Sequence, residues 1–324
     1  MSKKTDVKRR EFVFIHECET CNPNGDPLRG NEPRFDEETQ TIWVSDERYK
    51  RNIRDTWKDW GNLIWIDYIG EEAVTIDKRM KILMIQTGKK QTLLGNQEEG
   101  EIDWDTLIKD VKLKTFPRKN LEEALFSCID VRVFGAVLSI KNINRSYVGP
   151  VQFTWGKSLH PARIISNRGT TRMTSNERSK QGTFRLDSFV PYAIIGTSGT
   201  VNPYNAQKTG MTENDFLSMR KALWSSYLHV SSRTKVGQSP LLWIEVISPP
   251  DKEYYIGNLH RHVLVKTHKP EPASLNDVTI DLTPLVSVVP PDCTIEVYVH
   301  KKVVDGVDFG DIPESNIHVV VEMP

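Results

Sequence analysis

The chain carries no excess of charge. Its 43 Lys+Arg residues balance 43 Asp+Glu residues, for a formal net charge of zero. No global field announces a nucleic acid or a membrane surface, so any polyanion site must be local. Cysteine is scarce. Cys18, Cys21, Cys128 and Cys293 are too few and too scattered in 324 residues for a disulfide framework. Cys18-x-x-Cys21 has the spacing of half a zinc site, but no second CxxC or HxxxH completes four ligands. No run of 18 apolar residues offers a membrane-spanning helix, and MSKKTDVKRR at the start lacks the apolar stretch of a secretory signal. The expectation is a soluble, cytoplasmic protein with no metal and no cofactor. The signatures GxxxxGK[ST], GxGxxG, HExxH and GxSxG are all missing. Ser158 and His160 are near neighbours without an evident third partner, and a triad is defined by geometry. Internal repeats and low-complexity tracts are also absent, while the length is ample for a sizeable core.

Charge is nevertheless unevenly placed. Between Lys157 and Arg185 seven basic residues face one acidic residue, Glu177, so this window is +6 and the remainder −6. A charge run is ordinarily a solvated face, but SNRGTTRMTSNERSKQG inside this window also lacks any core periodicity. Glu98, Glu99, Glu101, Asp103 and Asp105 form an opposing acidic run.

The densest information lies between Cys21 and Asp55. Asn22-Pro23, Asn24-Gly25, Asp26-Pro27 and Gly30-Asn31 are breaker pairs, so residues 21–33 are neither regular helix nor central strand. EFVFIHE (11–17) before them alternates like a half-buried strand. Ser45 after them is a candidate N-cap, with Asp46 and Glu47 at the positive end of a helix dipole. Tyr49, Ile53 and Trp57 then recur every four residues beside a stripe of Lys50, Arg54 and Lys58 flanked by Arg51. Such a stripe suits phosphates, although the same pattern also describes a solvated basic face. The Asn24-Gly25 turn offers close main-chain approach to a sugar–phosphate.

A coarse pass gives an α+β order. After strand 11–17 and helix 46–60 comes a mixed insertion, 61–118, with a strand expected near 80–86. A helical segment near 120–129 precedes DVRVFGAVLSI. Val151, Phe153 and Trp155 predict a strand over 148–155, and a further strand is expected over 189–197. Thr212 caps a helix over 212–228, on which Phe216, Met219, Leu223 and Tyr227 share a face. LLWIEVI (241–247) ends at Pro249-Pro250, and strands are expected at 294–300 and 317–322. Stripped of insertions, the order is β-α-β-β-α-β, the ferredoxin-like or RRM-like plan.

NPNGDP, GNEPRFD and VSDERYKRNIRD resemble the N-terminal signature of the repeating backbone subunit of type I CRISPR Cascade complexes, in the RAMP superfamily. The likeness continues in order through CIDVRVFGAVL (128–138), VGPVQFTWGKSLHP (148–161), GTSGTVNPYNAQKTGMTENDF (196–216) and SSRTKVGQSPLLWIEV (231–246). QFTWGKSLHP and TGMTENDF are similar to the type I-B form rather than type I-C. The resemblance covers residues 11–265 and leaves 266–324 unmatched.

That resemblance implies a hand-shaped subunit. Residues 1–60, 121–158 and 189–265 would form the palm, 61–120 the fingers and 159–188 the thumb, with 266–324 packed on the palm or extending its sheet. It implies a non-enzymatic protein of antiviral defence that binds CRISPR RNA and polymerises head to tail along it. Its partners would be sister copies, backbone-capping, large and small subunits, the guide-processing endonuclease, and target DNA paired through the guide. The RNA-binding set is then Asn24, Gly25, Arg34, Lys50, Arg51, Arg54, Arg132, Phe134, Gln152, Lys157, Ser158, Arg163, Arg168, Thr171, Arg172, Met173, Arg233, Lys235 and Gln238. Met173, the one apolar side chain amid Arg168, Thr171 and Arg172, is the candidate wedge between bases. Phe134 reads equally well as core, and the 231–238 loop as ordinary surface. Two other readings stay open. One is an endoribonuclease of the same superfamily using Asp26, Asp36 or a histidine. The other is a monomeric RRM-like RNA-binding module with Phe153 and Trp155 as its aromatics.

Overall fold

Aromatic and aliphatic side chains alternate along the first strand, and this alternation organises the sheet. The structure is a computed structural model that describes residues 6–68, 74–88, 104–140, 143–170, 184–229 and 232–324. In chain order the main elements are β1 (Arg10–Cys21), β2 (Thr41–Val44), α1 (Asp46–Asp59), α2 (Ile76–Gln86), α3 (Trp104–Leu107), α4 (Arg118–Ser127) and α5 (Ile129–Phe134). They continue with β3 (Gly135–Ile140), β4 (Ile143–Val148), β5 (Val151–Phe153), β6 (Gly156–Ser158), β7 (Ile165–Thr170) and β8 (Phe184–Val201). The last are α6 (Pro203–Thr209), α7 (Glu213–Leu228), β9 (Gln238–Ile247), β10 (Leu264–Thr267), β11 (Val278–Asp281), α8 (Thr283–Val288), β12 (Thr294–His300) and β13 (Ile317–Val320). The chain divides into two units: Arg9–Asn52, Phe153–Thr200 and Leu223–Pro324 form a sheet unit, and Ile53–Gln152 with Val201–Ala222 and the N-terminal segment form a largely helical one. Among the described residues no helix is long and apolar enough to cross a membrane.

In the sheet unit the order is β13–β12–β9–β1–β8–β6–β2, followed by the short strand Phe35–Asp36, with β5 and β7 also pairing with β8. β1 runs antiparallel to β9 from Arg10↔Ile247 to Cys18↔Gln238, with an irregularity between Ile15 and His16. Every residue from Arg10 to Cys18 is buried. EFVFIHE is therefore not the half-buried strand its pattern predicts, because both faces are covered. Phe12 stacks on Trp243 at 4.6 Å and Phe14 meets Tyr227 edge-on at 5.2 Å on one face. Val13 and Ile15 on the other join Leu242, Ile244, Ile280, Leu282, Leu285 and Val297. The polar residues of the strand are satisfied internally. Arg10 pairs with Glu245 at 2.9 Å, and the Glu11 carboxylate accepts from the N–H groups of Ile256 and Gly257. Residues beyond 265 supply much of the second face, and β12 adds itself to β9 in antiparallel register. The tail thus both packs on the sheet and extends it.

The helical unit has its own core, in which Met80, Leu83 and Met84 of α2 meet Leu121, Ala124 and Leu125 of α4. The strand expected near 80–86 is a helix. A short continuous apolar run fits a strand or a buried helix equally, and here the Thr75 hydroxyl accepting from the Lys78 N–H starts a helix. DVRVF is likewise helical and gives way to strand only at Gly135, whose φ is +80°. A side chain there would run into the Tyr147 carbonyl, so only glycine lets β3 turn back against β4. The strand expected over 148–155 is split, because β4 pairs with β3 and β5 with β8.

Asp130 is the hub of this unit. Its carboxylate accepts from Arg54 Nε at 2.9 Å and from the N–H groups of Trp65 (2.8 Å) and Ile66 (3.2 Å). Arg79 closes the same knot through the carbonyls of Trp65 and Ile64. Asp130→Ala would leave a buried guanidinium without its counter-charge, which costs about 3–5 kcal/mol. A urea titration checks this, and a loss below about 1 kcal/mol would show that the hub is dispensable.

Two buried imidazoles make stability fall with acid. Burial depresses His16 to about 3 and His260 to about 4 from an ordinary value of 6.5. His16 hydrogen-bonds the Tyr49 hydroxyl, and the Ser198 hydroxyl lies 2.8 Å from His260 Nδ1. Below pH 6.5 the unfolded chain takes up protons that the folded one refuses, so stability declines as pH falls from 6.5 toward 4. The slope is about 1.4 kcal/mol per pH unit for each imidazole. Melting midpoints at pH 7 and pH 5 measure it, and His260→Gln should flatten part of the dependence.

Candidate nucleic-acid interface

The breaker-rich loop after β1 is held by its own polar groups. Asn22 Nδ2 donates to the Asn31 carbonyl at 2.7 Å, and Asn31 N–H donates to the Asp26 carbonyl. Asn24 Oδ1 accepts from the Ser45 N–H at 2.8 Å, tying the loop to the start of α1. Gly25 pairs with Pro33, and a side chain on it would collide with Asn31. Lys235 reaches back to the Asn22 carbonyl at 2.6 Å, and burial lowers its pKa to about 8. Gln238 in turn donates to the Lys235 carbonyl. Asn24, Gly25, Lys235 and Gln238 all contribute to the build of this loop.

Several predicted contacts are paired cations. Lys50 binds Asp46 at 2.7 Å one turn away on α1, and Arg51 is also engaged within the protein. Arg163 meets Glu271 at 2.8 Å with both side chains mostly exposed, and Arg233 meets Asp187 at 2.5 Å. Ser158 is buried, its hydroxyl accepting from the Ile42 N–H. Arg168 lies on β7 opposite Leu186 of β8, with its side chain outside the described residues, as are Thr171, Arg172 and Met173.

Four members of the set, Arg54, Arg132, Phe134 and Gln152, belong to the helical unit. There Arg54 is buried against Asp130 with its guanidinium 5.2 Å from the Phe134 ring, and Phe134 is itself buried. Arg132 grips Asp215 through two nitrogens and also donates to the carbonyls of Phe126 and Ser127 at the end of α4. Gln152 is exposed and donates to the Gly149 carbonyl.

The predicted residues that converge on an open surface are Arg34 and Lys157, and they do so around two tryptophans absent from the predicted set. Trp43 of β2 is paired in register with Lys157 of β6, whose Nζ lies 4.3 Å from the Trp43 ring centroid. Trp155 enters β6, meets Trp43 edge-on at 5.8 Å, and has the Arg34 guanidinium 5.8 Å from its own centroid. Trp43, Trp155 and Arg34, together with Asp26, Arg29, Pro33, Phe35 and Asp36, line a cleft of about 320 Å³. Trp155 is 39% exposed. A sequence signal existed: an indole flanked by Lys157 and a second indole in a neighbouring short strand interleave aromatics with cations, although only the fold places them side by side.

Both loop aspartates lie on this cleft and are engaged in turns. Asp26 Oδ1 accepts from the Leu28 N–H, while its other oxygen is 3.6 Å from Arg34. Asp36 accepts from the Thr39 hydroxyl and the Glu38 N–H, and the Thr39 bond above all holds its pKa below the usual carboxylate value. Among the described residues no three His, Cys, Asp or Glu side chains are grouped to hold a metal ion.

The fold is shared with solved structures. Over 96% of both chains it is similar to a chain titled CRISPR RNA-guided surveillance complex, pre-nicking, at a TM-score of 0.57 and 13% identity. The family described as CRISPR-associated protein Cas7 matches residues 8–283, and the chain belongs to that family. A curated relative from Haloferax volcanii, CRISPR-associated protein Cas7, is 28% identical over 305 residues, covering 87% of this chain and 83% of its own.

Asn24→Ala removes the acceptor of the Ser45 N–H at the point where loop and helix join. The expected loss is about 1 kcal/mol, together with faster limited proteolysis within residues 22–33. Unchanged cleavage would show that the loop is held by its remaining bonds.

Proposed function

We propose that this chain is the non-catalytic, repeating backbone subunit of a type I-B Cascade complex, which binds CRISPR RNA and presents it for pairing with target DNA in antiviral defence. The match of the CRISPR-associated Cas7 family along residues 8–283 carries this reading. The fold likeness agrees with it, and so does the order of the motifs from NPNGDP to SSRTKVGQSP. Copies assemble head to tail on one guide, a heterologous interface that does not close and therefore grows into a filament. Specificity is delegated to base pairing, while the protein reads phosphates and shape. Balanced charge suits such a polymer, whose opposed faces meet copy to copy around a locally basic groove.

The palm in this reading is ferredoxin-like. Support comes from the strand order β9–β1–β8 with β5 on β8, and from helices α1 and α7 interleaved between these strands. Residues 61–120 serve as fingers and 159–188, with the β7–β8 hairpin, as thumb. Lys50, Arg163 and Arg233 exchange their intramolecular carboxylates for phosphate, most readily Arg163, whose exposed pair with Glu271 contributes only about 0–1 kcal/mol. The non-catalytic role is supported by Asp26 and Asp36, whose carboxylates brace their own turns. The further partners are the backbone-capping, large, small and guide-processing subunits, and the proposed setting is the cytoplasm.

Purifying the chain from cells with and without a CRISPR array is the test. An RNA-bearing particle whose nuclease digestion leaves a regular ladder is expected only with the array, and Lys157→Ala or Arg233→Ala should each reduce the log–log salt slope of RNA binding by about 0.7. A monomer without RNA, or RNA cut at one defined position and spared by Asp36→Ala, would overturn the reading.

A further inference from the structure

We infer that the cleft lined by Trp43 and Trp155 is a nucleobase-stacking site that receives one unpaired base of single-stranded nucleic acid. The inference rests on the RNA-binding reading above and adds to it a contact to the base rather than to the phosphate. Two indoles meet edge to face with ring centroids 5.8 Å apart, and register holds them there: Trp43 of β2 is paired with Lys157, and Val44 with Gly156, which directly follows Trp155. Gly156 itself cannot vary, because a side chain would strike the Tyr49 hydroxyl, so Trp155 is fixed from behind. A half-exposed indole at the entry to a short strand, with cations beside it, is a surface on which single-stranded binders stack bases.

The polar groups of the cleft match a base. Arg34 Nε is buried and has no hydrogen-bond partner, while Arg34 Nη1 leans toward Asp26 at 3.6 Å. The rest of the guanidinium lines the cleft, where its other nitrogens can donate to a ring nitrogen or carbonyl of a base. Lys157 above the Trp43 ring places positive charge where the attached phosphate would run. Asp26 and Asp36 add carboxylate acceptors on the same wall, which favours a base bearing an exocyclic amine over uracil. The cleft volume of about 320 Å³ lies at the small end of ligand sites, about 300–1,000 Å³, a size for one base rather than a stacked run.

The test uses the full chain with a short RNA carrying one 2-aminopurine, an amine-bearing base whose fluorescence is quenched on stacking, and with a single-stranded DNA of the same sequence. With the wild type, quenching is expected on RNA binding. Trp155→Ala should relieve it and weaken binding by about 5- to 150-fold, while Trp155→Phe, which keeps an aromatic face, should retain most of both. Melting midpoints of the variants establish that each is folded, and photocrosslinking of a 5-iodocytidine-substituted RNA to Trp43 or Trp155 gives a second readout in wild-type protein. Quenching confined to the DNA would support the site with the target strand as its source. RNA binding without quenching or crosslinking to either indole, or equal quenching in Trp155→Ala, would overturn the stacking site and leave the RNA-binding reading standing. Failure to bind RNA or DNA at low salt would overturn both.

Discussion

Burial of β1 on both faces is the constraint on which the sheet unit depends. The strand pairs with β9 on one side and β8 on the other, so its backbone groups are spoken for along its length. Its side chains then need two separate apolar surfaces. Aromatic residues from α1, α7 and β9 cover one, and the aliphatic tail beyond residue 265 covers the other. Polar residues on such a strand are tolerated only with internal partners. Arg10 with Glu245, Glu11 with two backbone N–H groups, and neutral His16 beside Tyr49 meet that requirement. A strand so enclosed is a rigid base, and the polar loop that follows it inherits a fixed starting point.

From that base, local chemistry does two different things with the same residue types. Some cations are consumed by the fold: Arg54 on Asp130 and Arg132 on Asp215 are held where water is scarce and where removal of either partner is costly. Others are held more loosely: Arg163 and Glu271 form a mostly exposed pair of small energy, and Arg233 is itself exposed beside Asp187. Zero net charge conceals this division. The difference between an arginine locked into the fold and one left near the surface lies in the burial of its partner, which composition does not record.

The tryptophan cleft shows how short strands make a site. β2 and β6 are three or four residues long and would be marginal alone, but β6 is anchored to β8, and β2 to β6. That chain of pairing carries Trp43 and Trp155 out to the sheet margin beside Arg34 and the loop aspartates. Their edge-to-face contact and two nearby cations hold the indoles in place without burying them.

Much was legible in the residues themselves. The places of β1, α1, α7, β9 and β12 follow from alternation, four-residue recurrence, Thr212 and Ser45 before helices, and breakers after strands, although β1 runs on to Cys21 and β9 begins at Gln238, past the 11–17 and 241–247 expected. The same signals failed where a short apolar stretch fits two structures, as at 80–86, and where Gly135 redirects the chain inside DVRVFGAVLSI. The basic stripe Lys50–Arg54–Lys58 was legible as well, but not that Arg54 turns inward to Asp130, 76 residues away in sequence. Periodicity is a local property and states which face a residue occupies. Which carboxylate faces it depends on how two helices pack, and which indole stands beside which depends on strand pairing across more than a hundred residues; only the tertiary structure decides either.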